Sequence, residues 1–130
     1  MGVGLGDYRR EIVRAAAILT GSYVAGTVIK DVEHCNQLVL LFAYTKGSLT
    51  SLEYKIEFSD DGGTTWYQEV MSVQSAGTST DTVLEHTFTG ATANLRIAVP
   101  IKDSYIRVSA KGTGTVTSSS LAIQAILGTV

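Results

Sequence analysis

Hydrophobic side chains recur at every second position through most of this chain, and no long stretch shows the three-four spacing of a helix. From Ser51 to Phe58 the alternation is cleanest, with Leu52, Tyr54, Ile56 and Phe58 on one face and Glu53, Lys55 and Glu57 on the other. That is a half-buried strand whose charged face meets water. Gln37 to Thr45 is more continuously apolar and predicts a central strand covered on both sides. Further strands are expected over Tyr23–Ile29, Trp66–Gln74, Thr82–Thr89, Asn94–Val99, Tyr105–Ala110 and Ser120–Leu127. Trp66–Gln74 would be the hairpin partner of Ser51–Phe58. Turns are expected at Lys46-Gly47-Ser48, around Gly90, and at Lys111-Gly112-Thr113-Gly114, with a polar loop over Ser75–Asp81. Pro100 lacks a backbone donor and should mark a strand end or an edge.

About eight short strands at intervals of roughly a dozen residues predict an all-β, single-domain, jelly-roll-like β-sandwich of antiparallel strands. The sandwich is expected to occupy residues 16–130, behind an N-terminal arm or short helix over 1–15. Gly2, Gly4 and Gly6 loosen the start, and Arg9, Arg10 and Arg14 follow closely. Asp7 could cap a helix with Tyr8 and Ile12 on its inner face. Three arginines are awkward against a core, so an extended arm is the preferred expectation.

The 130 residues are enough for one domain with its own core, without disulfide or metal. A single cysteine, Cys35, makes no intrachain disulfide and is expected as a small apolar thiol in the core. The net charge of −2 argues against nucleic-acid binding. Neither a signal peptide nor a bilayer-spanning helix is evident, so no membrane partner is expected. Charge is unevenly distributed along the chain. Seven acids and one base (Lys55) lie between Glu53 and Glu85, whereas four bases and one acid follow His86. Neighbouring strands can pair these charges internally, or they can serve complementary contacts between subunits.

Catalytic and metal constellations are missing from the pattern. His34 and His86 lie far apart, too few for zinc even with Cys35. Adjacent His34 and Cys35 would point to opposite faces of a strand, which disfavours a nucleophile–base pair. No Gly-x-Ser-x-Gly elbow or phosphate-binding glycine loop occurs. An enzyme is not expected, nor a cofactor or metal. Ser59-Asp60-Asp61-Gly62-Gly63-Thr64-Thr65-Trp66 is similar to the Asp-box, a structural hairpin of sialidase-type propellers. Its Ser59, Asp61, Gly63, Thr65 and Trp66 are read as a turn-stabilising unit. The alternative is sugar contact by Trp66 or Tyr67. Tyr23, Tyr44, Tyr54 and Tyr105 add aromatic surface, most of it expected in the core.

Three stretches carry a wider likeness: Thr20-Gly21-Ser22-Tyr23-Val24-Ala25-Gly26-Thr27, then Leu38-Val39-Leu40-Leu41-Phe42 leading to Leu52–Gly63, then Asp103-Ser104-Tyr105-Ile106-Arg107-Val108-Ser109-Ala110 before a closing apolar strand. With the N-terminal arm, they make the chain resemble the small β-sandwich virion proteins of tailed bacteriophages, of capsid decoration (cement) or head-fibre type. The resemblance implies a non-enzymatic structural protein, made in the host cytoplasm and located in the virion. Its expected partners are the major capsid protein or other virion proteins, and it would be a homo-oligomer, a trimer by preference. Tyr8, Arg9, Arg10, Ile12 and Arg14 would then be interface anchors. The alternatives are a tail or neck component and a carbohydrate-binding or adhesin module with a glycan partner.

Overall fold

The computed structural model describes residues 8–101 and 104–128, apart from the side chain of Glu33. One sheet contains β1 (Tyr8–Ala17), β3 (Gln37–Thr45), β9 (Ala93–Ala98) and β11 (Ser120–Gly128), in the order β1-β11-β3-β9. The other contains β2 (Val24–Ala25), β4 (Leu49–Ser59), β5 (Tyr67–Gln68), β8 (His86–Phe88) and β10 (Tyr105–Gly114), in the order β2-β10-β4, with β5 and β8 both on the far edge of β4. Every pairing is antiparallel.

β5 and β8 are the two halves of one interrupted strand. Gln68 lies opposite Glu57 and His86 opposite Tyr54, so residues 69–85 are extruded from between near neighbours. They form a separate ribbon, β6 (Val70–Ser75) with β7 (Thr78–Val83). With that ribbon set aside and β5 and β8 counted together, eight strands remain, four in each sheet, in jelly-roll order. The expected fold class is the one found.

Periodicity decides which side chains form the core. Leu38, Leu40, Phe42 and Tyr44 of β3 and Leu121, Ile123, Ala125 and Leu127 of β11 face Leu52, Tyr54, Phe58, Ile106, Val108 and Ala110 of the second sheet, all buried in one cluster. Phe42 meets Tyr54 edge-on at 5.0 Å and Tyr44 meets Phe88 at 5.8 Å, tying the layers together. Cys35 is half-buried against this cluster. Pro100 lies just beyond β9, itself a sheet edge.

Four local expectations are corrected. The segment expected as an arm or helix is, from Tyr8, an edge strand paired with β11, because Val13 is buried in the core and the arginines point out of it. Residues 1–7 lie outside the described residues. Thr78–Asp81, within the expected loop, belongs to the strand Thr78–Val83: Ala76 and Gly77 both take positive φ (51° and 80°) and close a two-residue hairpin. Lys111–Gly114 continues β10 rather than turning, with Gly112 packed so closely that an added Cβ would meet Leu49 at 2.7 Å. β3 is covered on one side only, leaving Val39 and Leu41 half-buried and Ala43 exposed on the other.

Phe42→Ala, which empties the centre of the inter-sheet contact, is expected to lower stability by about 3–5 kcal/mol in urea unfolding. An unchanged unfolding midpoint would mean that the layers do not meet through this side chain.

Candidate functional site

The Asp-box residues come together as a local hairpin unit. Ser59 is fully buried, and its hydroxyl donates to Asp61 Oδ1 at 2.8 Å while accepting from Gly63 N at 2.9 Å. The same Asp61 oxygen accepts from the backbone N–H groups of Thr64 at 3.1 Å and Thr65 at 2.8 Å. Gly62 and Gly63 supply the positive φ values (78° and 91°) that aim these donors inward. Hydrogen bonds from Thr65, then Ser59, hold the Asp61 carboxyl down at about 2.

Trp66 leaves this turn half-buried, one ring face 4.5 Å from the Arg107 guanidinium. Arg107 in turn grips buried Glu57 through Nε and Nη2 at 3.0 and 3.3 Å. Sugar stacking on that face of Trp66 is therefore blocked by a side chain already there. Tyr67 is 56% exposed.

The rest of this outer face is also closed on itself. Glu53 accepts from the hydroxyls of Ser51 and Thr113, and the Tyr23 ring lies 4.7 Å from both Lys55 and Lys111. Burial, followed by Glu85 and Glu53, pushes the Tyr23 phenol well above its ordinary range. The expectation of a solvated face at Glu53, Lys55 and Glu57 is corrected accordingly. Both glutamates are buried, Glu57 held by Arg107 of the neighbouring β10 and Glu53 by the hydroxyls of Ser51 and Thr113. Cross-strand pairing of the unevenly distributed charges is found here, in Glu57 with Arg107.

The outer face of the β1-β11-β3-β9 sheet is built differently. Cross-strand register aligns Ile12, Gln124, Leu41 and Arg96 in one row, and Arg10, Ile126, Val39 and Ala98 in the next. Ile12 is 65% and Tyr8 60% exposed. Ala43 and Ala122 extend the apolar surface into a shallow depression beside Asn94. No carboxylate stands among the outward-facing described residues of these four strands. Arg10 donates to Gln124 Oε1, and Arg14 donates to the carbonyls of Ala17, Ile18 and Leu121, so their partners among the described residues are neutral oxygens. Arg9 instead turns to Glu11 at 3.2 Å and to the Lys30 carbonyl at 2.6 Å. Of the five anchors read from sequence, Tyr8, Arg10 and Ile12 share this face, Arg14 adjoins it past a bulge, and Arg9 leaves it. Val39, Leu41 and Ala43 belong to it too, and were misread as core because their apolar character was the only signal they gave.

A second exposed surface is the β6–β7 ribbon, in which every strand residue is exposed, the apolar Val70, Met71, Val73 and Val83 among otherwise polar side chains. At its root a slot of about 190 Å³ opens between the sheets, lined by Ile56, Phe58, Leu84, Ile97, Val99 and Pro100 with Glu69 and His86. It falls below the roughly 300 Å³ at which small-molecule pockets begin. Among the described residues no three His, Cys, Asp or Glu side chains gather as a metal site.

Neither a protein-family model nor a characterised protein sequence matches the chain.

Asp61 supplies a pH prediction. Its folded pKa lies below its unfolded value, so its stabilising effect is present above about pH 4 and is lost as pH falls toward 2. Asp61→Asn is expected to be less stable than the parent at neutral pH, the gap closing in acid, as read by denaturant unfolding across pH. A gap independent of pH would remove the charge from the explanation.

Proposed function

We propose that this protein is a non-enzymatic structural module that attaches to a larger assembly through protein–protein contacts, as an accessory or decoration protein of a virion binding the capsid lattice. What carries the proposal is the outer face of the β1-β11-β3-β9 sheet, a broad aliphatic surface bearing arginines and no carboxylate. Interface centres are depleted in acids and enriched in aromatic and Arg side chains, the composition found at Tyr8, Arg10, Ile12 and Arg96. The virion assignment adds the sequence resemblance to this physical argument, and the jelly roll is an architecture that capsid proteins use. A tail or neck position would use the same surface on a different partner.

A second proposal, glycan binding, rests on Tyr67, exposed beside Trp66 on a fold that lectins also use. Arg107 over Trp66 leaves Tyr67 as the stacking surface, so Tyr67→Ala is expected to abolish any specific signal on a glycan array. No signal for the parent protein would end this alternative.

For the leading proposal, quantitative mass spectrometry of purified virus particles from the source of the sequence is expected to find this chain at a copy number near that of the major capsid protein. A few percent would assign it to the neck, tail or fibres; absence from particles would overturn the virion assignment. Ile12→Asp, at an exposed position, is expected to weaken particle binding at least tenfold without altering the circular dichroism spectrum, a desolvated side chain of this size being worth about 1.5–3 kcal/mol.

A further inference from the structure

We infer that the β6–β7 ribbon of one copy docks on the outer face of the β1-β11-β3-β9 sheet of a second copy, so that the protein assembles head to tail with itself. The inference rests on the attachment function proposed above and names a second copy as the partner of the same face, a partner for which the capsid lattice would compete.

Both surfaces are incomplete alone. A two-stranded ribbon in water is marginally stable without a surface to pack on, yet all residues of β6 and β7 are exposed. Cross-strand register puts Val70 beside Val83 and Ser72 beside Asp81 on one side of the ribbon, where the Ser72 hydroxyl donates to the Asp81 carboxylate. That side carries two valines, the uncharged polar side chains of Ser72, Gln74 and Ser79, and one negative charge. The sheet face offers Ile12, Val39, Leu41 and Ile126 with Arg10 and Arg96.

Charge selects between the ways of combining them. From Ile56 to Leu95 the chain contains six acids and no Lys or Arg; Asp81 lies on the ribbon and Glu69 and Glu85 flank it in sequence, while Glu57 is already paired with Arg107. The sheet face carries arginines and no carboxylate. Packing face on face would oppose arginines, and packing ribbon on ribbon would oppose Asp81 to itself; only ribbon on face joins unlike charges. Size agrees as well. Six residues per strand give a ribbon about 20 Å long, enough to cross four strands spaced about 4.8 Å apart. Within one copy the ribbon leaves the edge of the opposite sheet and remains exposed, so it does not cover its own face. Such a heterologous contact gives each copy one ribbon to donate and one face to fill, closing into a ring or growing into a filament.

Sedimentation velocity on the full chain tests this. The parent protein is expected to form concentration-dependent oligomers, and Ile12→Asp and Val83→Asp, both at exposed positions, are each expected to sediment as monomers. Mixed in equal amounts, the two variants retain one good ribbon and one good face between them, and are expected to form a 1:1 dimer and nothing larger. Asp81→Arg and Arg10→Asp should each weaken association, and combining them in one chain should restore it; this pair keeps the test decisive if Val83→Asp misfolds. A monomeric parent, or either single apolar variant keeping the parental mass, overturns the inference. Should the parent be monomeric yet abundant on virus particles, the head-to-tail contact fails while the attachment function stands, with another virion protein on the face. Self-assembly with no presence on particles leaves the contact standing and removes the virion assignment.

Discussion

The last strand is the constraint on which the fold depends. β11 lies between β1 and β3, held along both edges, and contributes four buried side chains, Leu121, Ile123, Ala125 and Leu127. Without it the four-stranded sheet divides, and β1 loses the strand that pairs it. The pairings of β11 with β1 join residues more than a hundred positions apart, as with Tyr8 and Gly128. Long-range pairings of this kind carry a large loop-closure cost before they contribute any burial, which makes jelly rolls slow folders. Local devices such as the Asp61 turn and the Ala76-Gly77 hairpin carry little of that cost, because their contacts lie within a few residues.

The two outer faces solve the problem of exposed sheet surface in opposite ways. On the β2-β10-β4 side, polar groups satisfy one another: Glu57 with Arg107, Glu53 with two hydroxyls, Tyr23 against two lysines. Each of these charged groups has a partner within the face, an opposite charge for Glu57 and Arg107, hydroxyls for Glu53 and an aromatic ring for the lysines. On the other side, register lines up aliphatic side chains and arginines without any acid to answer them. One face is finished within the chain. The other is not, and this difference underlies the proposals made for this protein.

How much of this is legible in the sequence follows from the range of each signal. β3 is found at the bounds expected, Gln37–Thr45, and the Asp-box works through the residues its spacing singled out, because both depend on side chains close in sequence. The β1 edge strand was hidden: its ten residues bury one side chain, Val13, so alternation is too weak to read. The β6–β7 ribbon was hidden as well, since Ala76 at positive φ carries no glycine signature and its strand partner Thr78–Val83 is polar. Val39 and Leu41 gave a true signal that was misassigned. Hydrophobicity reports that a position favours burial, and cannot say whether the cover comes from the same chain.

The pairing of Tyr8 with Gly128 has a consequence of another kind. It puts the first and last described residues on adjacent strands, about 5 Å apart. Over the described residues the backbone is therefore nearly a closed loop, open between β11 and β1. Seen this way, the jelly roll is a circular arrangement with one opening, and the exposed β6–β7 tip lies about as far around the circle from that opening as the chain allows.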